Sequence, residues 1–346
     1  MATTLSTQEL LLSIHGIELR FVTNSPALAG AASALLRHFT RPGIGDHPAT
    51  LSFTAVARRE EIPLQVSTGA KQLYKGSGIA LPQDQKTTWL CDVSAEGTVL
   101  FADFHDEGLI VIDGAAQTAQ GFLVQPEKMS PDTRASFVHF AMTELLKRCG
   151  LFTFHATALE KDGLGVLIPG FSGRGKTTSF LSLLRAGYRY VSDDHPFYRL
   201  HGSGVEMLPY PLKINVTDRT VQFFPELRDA PPSVLRPGIP KRYFHVEDIY
   251  PGPLGQPCPP AMILFPQVHQ ASFSCLEPLS KKQAMELILP HALLVFDAAV
   301  ARREFQALAR LVEQADCYRL HFGQDVLDLP RLVTPLLDQR RMRAEN

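Results

Sequence analysis

The sequence predicts an α/β protein of the α+β type, with a β-rich N-terminal domain at 1–130 and a second domain containing a mixed sheet at 131–346. A chain of 346 residues is long enough for two domains with sizeable cores. Up to about residue 121, short apolar segments alternate with Gly, Asp and Pro turns, which is typical of β-structure. Beyond residue 164, an apolar strand segment, a glycine-rich loop and a helical segment follow one another directly, which indicates an α/β arrangement.

The first domain is predicted to consist of strands and one helix. Segments 10–14 and 17–22 predict a hairpin, with His15-Gly16 as its turn. Segment 27–39 predicts a helix that is apolar on one face. The further strands predicted in this domain are 49–56, 89–93, 98–103 and 109–113.

One group of residues in the first domain imitates a metal site. His105 lies beside Asp103 and Asp106, and all three are of metal-ligating type. Because no further ligand follows at a recognisable spacing, we expect a solvated turn instead.

The second domain is predicted to open with a helix at 133–149, closed by Gly150. A helix should also follow the glycine-rich loop and end at Gly187, a residue typical of helix C-termini. The proline-rich region 209–260 is expected to form long loops. The strands predicted in this domain are 151–160, 164–168, 188–191 and 317–322, and its later helices are 281–289, 300–315 and 329–337.

The glycine-rich loop, residues 170–177, reads Gly-Phe-Ser-Gly-Arg-Gly-Lys-Thr and fits the pattern G-x-x-x-x-G-K-[ST]. In such loops the backbone N–H groups and the helix dipole hold phosphate oxygens, and glycines let the backbone approach closely. Lys176 is placed to reach the β- and γ-phosphates of ATP, and the Thr177 hydroxyl to join a Mg²⁺ shell. The residues predicted to bind the nucleotide are Gly170, Ser172, Gly173, Arg174, Gly175, Lys176, Thr177 and Thr178.

Two adjacent carboxylates, Asp193 and Asp194, follow the predicted strand 188–191. A strand just after a phosphate loop can deliver acids that hold the metal or accept a proton from an attacking hydroxyl. Adjacent residues of an extended chain point to opposite sides, so one carboxylate faces the transferred phosphoryl group and the other faces metal or solvent. The alternative interpretation is a solvated turn.

Three segments, taken in order, resemble the C-terminal kinase domain of HPr kinase/phosphorylase and its relatives, a group related in fold to phosphoenolpyruvate carboxykinases. They are 154–156 (Phe-His-Ala), 165–177 and 186–194, the last ending in the double Asp. The resemblance implies that Asp193 is the catalytic base towards a hydroxyl and that Asp194 is a metal or substrate partner. It also implies that His155 lies next to the phosphates. Without the resemblance, a lone histidine on an apolar strand would be interpreted as a core residue. Relatives in this group are often oligomers, which makes a homo-oligomer compatible with the resemblance.

The chain departs from true HPr kinases at residues 210–216, which lack the Gly-, Ile- and Arg-rich signature of that group. The resemblance is therefore to an HPr-kinase-related protein that acts on another hydroxyl, not to a true HPr kinase. Further candidates for phosphate contacts are the basic residues Lys213, Arg236, Lys241 and Arg242, each of which would by default be a surface residue. Glu206 is the nearest candidate for a second metal ligand.

Composition limits the partners. The formal net charge of −1 gives no bulk attraction to nucleic acid or to an anionic membrane. The first residues lack a signal-peptide pattern, and no apolar run approaches the length of a membrane span. The five cysteines are widely separated, which favours the reducing cytoplasm over a disulfide framework, and we expect all five to be buried small hydrophobic residues.

The sequence as a whole predicts a cytoplasmic, ATP- and Mg²⁺-dependent kinase that transfers the γ-phosphoryl group to a hydroxyl. A Ser or Thr of a protein or peptide is the preferred acceptor. Two alternatives stay open: a kinase for a small-molecule alcohol, meaning a free metabolite, and a non-catalytic ATP-binding module that regulates a partner.

Overall fold

The computed structural model describes residues 7–43, 45–46, 48–76, 91–171, 173–233, 241–250, 252, 254–269, 271–292 and 297–345. The chain forms two compact units. The first consists of Met1–Leu151 with Val295–Arg302, and the second of Phe152–Leu294 with Arg303–Asn346.

In its described part, the first unit is built on one eight-stranded mixed sheet and two helices. The strands are β1 (Gln8–Ile14), β2 (Ile17–Thr23), β3 (Ala49–Val56), β4 (Lys71–Lys75), β5 (Asp92–Glu96), β6 (Val99–Asp103), β7 (Gly108–Asp113) and β8 (Thr118–Val124). Their order in the sheet is β1-β2-β3-β8-β7-β6-β5-β4, and β3 runs parallel to both β2 and β8. The helices are α1 (Pro26–Leu36) and α2 (Pro131–Arg148).

Both helices begin at a serine followed by proline, which is a favourable start because proline suits the first helical turn. The Ser25 hydroxyl accepts a hydrogen bond from the Leu28 backbone N–H at 3.3 Å, and Ser130 does the same for Thr133 at 3.1 Å. Helix α2 packs against α1 and against β7 and β8. The two helices thereby bury the apolar side of the sheet.

The structure confirms the predicted hairpin, the helix after it and the strands at β3, β6 and β7. The strand predicted at 89–93 instead begins at Asp92, and residues 89–90 lie outside the described ranges. Strands β4 and β8 were not predicted, because β4 is mostly polar and the apolar pattern of β8 is interrupted by Gln120 and Gly121. His105 lies in a single 3-10 turn, and the Asp103 carboxylate is bound to the His105 backbone N–H at 2.9 Å and to Arg59 at 2.8 Å.

The second unit holds a six-stranded mixed sheet of order β12-β10-β11-β18-β20-β19 and two three-stranded sheets, β14-β13-β9 and β15-β17-β16, within the described ranges. The first half of its strands comprises β9 (Phe152–Thr153), β10 (Ala156–Lys161), β11 (Leu164–Pro169), β12 (Arg189–Ser192), β13 (Phe197–His201) and β14 (Gly204–Leu208). The second half comprises β15 (Ile214–Thr217), β16 (Pro232–Ser233), β17 (Lys241–Phe244), β18 (Pro260–Val268), β19 (Cys275–Pro278) and β20 (Asp316–Phe322). The helices are α3 (Lys176–Arg185), α4 (Asp218–Val221), α5 (Val246–Ile249), α6 (Lys281–Ile288), α7 (Ala298–Gln314) and α8 (Leu329–Glu345). The residues of α7 up to Arg302 are grouped with the first unit.

In the six-stranded sheet, β11, β18 and β20 run parallel, whereas β10, β12 and β19 pair antiparallel with their neighbours. The mixed sheet predicted for this part of the chain is therefore present. Its core includes Val166 of β11, Phe180 of α3, Leu264 of β18 and Leu320 of β20, each fully buried. Burial of these side chains fixes α3 against the sheet and so fixes the position of the loop between β11 and α3.

Two element predictions were wrong. Segment 151–160 is not one strand: it splits into β9 and β10, which belong to different sheets, with Phe154 and His155 between them. The proline-rich region 209–260 is not only loops, because it contains β15, β16 and β17 with α4 and α5. The last helix begins at Leu329 as expected but extends to Glu345, with Pro335 inside it.

The two compact units divide after Leu151, whereas the sequence-based division falls at 130/131. The two divisions differ because helix α2 packs on the sheet of the first unit.

The expectation that all five cysteines are buried needs correction. Cys275 is exposed and Cys149 is only partly buried, while Cys91, Cys258 and Cys317 are buried. Among the helices in the described ranges, none combines the length and apolar character needed to cross a bilayer.

Candidate functional site

The loop predicted to bind phosphate connects the end of β11 at Pro169 to the start of α3 at Lys176. Gly173 and Gly175 have φ angles of +85° and +90°, a left-handed conformation that glycine adopts without steric cost. A Cβ on Gly175 would lie 3.2 Å from Cδ1 of Phe322 and 3.3 Å from Cγ2 of Val268. The backbone therefore requires glycine at 175. Gly170 and Arg174 belong to the same loop, Thr177 is the second residue of α3, and Ser172 lies outside the described residues.

Lys176 is the first residue of α3, and its side chain is only 6% exposed. Its ammonium group donates a hydrogen bond to Oδ1 of Asp194, which joins the loop to the predicted acidic pair. Thr177 is partly exposed, and the Thr178 hydroxyl lies 3.4 Å from that of Thr220 in α4. The sequence predicted both ends of the Lys176–Asp194 contact, although not the contact itself.

Asp193 is buried, with 4% of its surface exposed. Its Oδ1 accepts a hydrogen bond of 2.6 Å from the Thr157 hydroxyl of β10. Its backbone N–H donates to the Tyr190 hydroxyl at 3.0 Å. Burial raises the pKa of Asp193 to about 6, the negative charge of Asp194 acts in the same direction, and the charges of Lys176 and Lys241 act against it.

Asp194 has a different environment from its neighbour. It has a φ of +71°, its side chain is 47% exposed, and it accepts hydrogen bonds from Lys176 and at 3.1 Å from Nε2 of His155. Partial burial alone would raise the pKa of Asp194, but Lys176 first, then His155 and His195, hold it well below its usual range. Two adjacent carboxyl groups whose pKa values are pushed apart can take different roles in a reaction.

His155 and His195 act on the charge of Asp194, and His291 lies beside His155. His155 lies at the break between β9 and β10, with its ring 6.4 Å from that of His195 and 6.4 Å from that of His291. The His155 backbone N–H donates to the His291 carbonyl at 2.8 Å, and the His291 ring lies 4.3 Å from that of Phe171 in the loop. Burial first, then the charges of His155 and Lys176, lower the pKa of His291 to about 4, so its ring is neutral at physiological pH.

Sequence reasoning missed His195 and His291. His195 directly follows the acidic pair, and that adjacency could have identified it. His291 follows α6 in a 3-10 turn, and no local motif connects it with the loop. Only the folded chain brings it to His155.

The other candidate residues have mixed outcomes. Lys241 acts on the pKa of Asp193, so it lies within electrostatic range of the pair, and the Lys213 ammonium sits 5.1 Å from the centre of the Tyr243 ring. Arg242 instead binds Asp218 at 2.9 Å and the Arg228 carbonyl at 2.8 Å. Glu206 forms an ion pair with Arg199 at 2.9 Å on the β13–β14 hairpin, not with the acidic pair. Arg236 lies outside the described residues.

The donor set fits a nucleotide with a hard cation. Within the described ranges, there is no cluster of three or more His, Cys, Asp or Glu residues that could hold a metal by protein ligands alone. Mg²⁺ usually binds through one or two carboxylates together with phosphate oxygens and water. The Asp194 carboxylate and the Thr177 hydroxyl supply oxygen donors of that kind, and Lys176 supplies a cation for phosphate oxygens.

No family model matches this chain, and no curated protein matches it. Among solved structures, it is similar to one described as the "Structure of the Hpr(Ser) kinase/phosphatase from Coxiella burnetii". The identity is 15%, the TM-score is 0.27, and the alignment covers 56% of this chain and 99% of that chain. At this TM-score the two chains are not shown to share a fold or an activity.

Proposed function

We propose that this chain is an ATP- and Mg²⁺-dependent kinase that transfers the γ-phosphoryl group to a hydroxyl, with a Ser or Thr of a protein or peptide as the acceptor. One observation carries the proposal: Lys176 of the phosphate loop is ion-paired with Asp194, next to the buried Asp193. A cation for phosphate, a carboxylate for metal and a carboxylate for a proton thus meet at one end of the sheet.

Asp193 is the base in this proposal. A group with a pKa of about 6 is mostly ionised at neutral pH and is still basic enough to accept a proton from a hydroxyl in the transition state. The Thr157 hydroxyl and the Tyr190 hydroxyl hold the residue by its side chain and backbone. Because the carboxylate is held on both sides, little reorganisation is needed at the moment of transfer.

The phosphates and the metal would be bound through Lys176, Asp194 and His155. Lys176 moves its hydrogen bond from Asp194 to phosphate oxygens and neutralises charge that develops on the transferred group. The Asp194 carboxylate and the Thr177 hydroxyl are the groups that would hold Mg²⁺, and the ion would supply positive charge to neutralise the phosphates. His155 holds Asp194 through Nε2 and keeps the carboxylate directed toward the loop.

The two alternatives differ in what they require. A kinase for a small-molecule alcohol would use the same residues and differs only in its acceptor. A non-catalytic ATP-binding module would not need a buried carboxyl group with a raised pKa, which is typical of sites that transfer protons. We also propose a cytoplasmic location, supported by the wide separation of the five cysteines along the sequence.

Isotope-labelled ATP incubated with host-cell lysate tests the proposal. The γ-labelled nucleotide should label a protein or peptide with the wild-type chain and not with Lys176→Ala, which removes the charge at the phosphates. Label in a small molecule would show that the acceptor is a small-molecule alcohol and not a protein or peptide. Binding of ATP without label in any acceptor would instead support the regulatory module and contradict the kinase proposal.

A further inference from the structure

Two loops leave the six-stranded sheet at the same edge as the phosphate loop. Strands β18 and β20 run parallel to β11, so the segments after Val268 and Phe322 emerge where the segment after Pro169 does. Parallel sheets bind ligands at this carboxyl edge. A Cβ on Gly175 would meet both Phe322 and Val268, so the ends of β20 and β18 lie close to the glycine-rich loop.

The two loops are firmly joined to each other. Ser274 donates to Asp325 from its backbone N–H at 2.8 Å and from its hydroxyl at 2.6 Å. The Gly323 N–H donates to the Ser274 hydroxyl at 2.9 Å. A Cβ on Gly323 would lie 2.6 Å from the carbonyl carbon of Phe273, so only glycine allows the two backbones to approach this closely. The backbone at Phe273 is therefore fixed against the end of β20.

This fixed edge carries exposed apolar side chains. Phe273 is 77% exposed, and Val268 and Leu327 are each 49% exposed. Leu327 belongs to the 3-10 turn after β20, and that turn packs against α3, the helix of the phosphate loop. Phe273 lies in the segment after β18, whose last residue, Val268, lies against Gly175 of the glycine-rich loop. An exposed aromatic ring on a well-bonded backbone in that position is suited to contact a planar ligand group.

We propose that Phe273, together with Val268, binds the base of the nucleotide whose phosphates bind the loop at 170–175; this inference rests on the proposed function. The occupant is the base because Val268, at the end of the strand that leads to Phe273, lies close enough to Gly175 that a Cβ there would be 3.3 Å from its Cγ2, so the apolar surface adjoins the loop proposed to bind the phosphates. Aromatic side chains stack on nucleobases irrespective of their hydrogen-bonding pattern, and the ring of Phe273 is open for such stacking. The residues already assigned to the loop contact phosphate alone, and phosphate alone does not distinguish a nucleotide from inorganic polyphosphate.

Calorimetric titration of the full chain with Mg-ATP and with Mg-tripolyphosphate tests this inference. Phe273→Ala should weaken ATP binding by about five- to a hundredfold, the usual effect of losing one stacked aromatic ring. Tripolyphosphate has no base, so its affinity should not change. Phe273→Tyr should keep the wild-type ATP affinity. Phe305→Ala is the matched control, because Phe305 is also an exposed phenylalanine of the second unit, at 53%, and lies on α7.

The outcomes separate this inference from the proposed function. If Phe273→Ala leaves ATP binding unchanged, or weakens both ligands equally, the base does not bind at Phe273. The same holds if the wild-type chain binds ATP no more tightly than tripolyphosphate. If Phe273→Ala changes the oligomeric state and leaves the ATP affinity unchanged, this surface binds a second copy of the chain and not the base. Lys176→Ala should weaken both ligands, and if it weakens neither, the phosphate-loop assignment fails instead.

Discussion

At Asp193, burial and electrostatic attraction act in opposite directions on one carboxyl group. Burial raises the pKa to about 6, and the charges of Lys176 and Lys241 limit the rise. Asp194, one residue later, is half exposed and paired with Lys176 and His155, so its pKa lies well below the usual range. Adjacent residues with these two environments can divide the work of proton acceptance and metal binding.

The pH dependence of transfer follows from the pKa of Asp193. As a base it must be ionised, so the transfer rate should rise with pH and level off above about pH 6. Lys241→Gln removes a charge that lowers this pKa and should move the inflection to higher pH. Lys213→Gln is the control, since Lys213 sits over the Tyr243 ring. A shift to lower pH in Lys241→Gln would contradict the assignment of the base.

The raised pKa of Asp193 also predicts a gain in stability when its charge is removed. The folded state holds this proton more tightly than the unfolded state, in which the pKa is near 3.8, so stability falls as pH rises from about 4 to about 6. Asp193→Asn should therefore raise the melting temperature at neutral pH. The difference in melting temperature between the variant and wild type should shrink below about pH 4, where the Asp193 carboxyl group of the wild-type chain is protonated and carries no charge. A lower melting temperature for the variant at neutral pH would show that the charge is not penalised by burial.

At the scale of elements, the sequence identified the strand–loop–helix unit because its parts are contiguous and each has a clear local pattern. Strand β11, the loop glycines and α3 all lie within residues 164–185. The positive φ angles of Gly173 and Gly175 are ones that glycine adopts readily, which explains the glycine-rich pattern of the loop. The Asp pair was found for the same reason, since it closely follows β12.

Features that depend on distant contacts were not predictable. His291 reaches His155 only after the whole second unit has folded. The break at His155 was missed because Phe154 and Ala156 are as apolar as a continuous strand requires, whereas β9 pairs with β13 and β10 with β11. In the region 209–260 the prolines concealed β15 and β17, because proline lowers the strand signal of its neighbours.

The geometry of the phosphate loop predicts different effects for its two central glycines. Gly175→Val adds a side chain that would meet Phe322 and Val268, whereas the space around Gly173 is open to 4 Å. Gly175→Val should abolish the thermal shift produced by Mg-ATP. Gly173→Ala bears only the strain of its left-handed conformation, about 1–2 kcal/mol, and should keep part of the shift. Equal shifts in both variants and wild type would show that the loop does not bind the nucleotide.

Tyr190 links β12 to the segment before β15. Its hydroxyl accepts from the Asp193 backbone N–H at 3.0 Å and donates to the Leu212 carbonyl at 3.0 Å. Tyr190→Phe leaves these buried groups without their partner and should lower the free energy of unfolding by about 1–3 kcal/mol. Because it also frees Asp193, transfer should fall more than ATP affinity does.

The control for this substitution is Tyr188→Phe. The Tyr188 hydroxyl lies 3.0 Å from that of Thr334 on α8, away from the acidic pair. It should reduce stability without a separate effect on transfer. If both variants reduce transfer in proportion to their loss of stability, Tyr190 has no positioning role.

At the scale of the whole molecule, the candidate site is contained in one compact unit. His155, Lys176, Asp193, Asp194 and His291 all belong to the second unit. The first unit has its own sheet and its own buried core, including Leu51, Phe53 and Leu123. The residues assigned to the proposed chemistry therefore all lie in the second unit.

The most direct test of the proposed kinase measures Mg-ATP affinity and phosphoryl transfer side by side, for the wild-type chain and for Asp193→Asn. The acceptor is the lysate fraction that the wild-type chain labels. The variant should bind ATP nearly as tightly as wild type, while transfer falls by about 10²–10⁴-fold, the usual contribution of a positioned base. Full transfer by Asp193→Asn would contradict the account of Asp193 as the base.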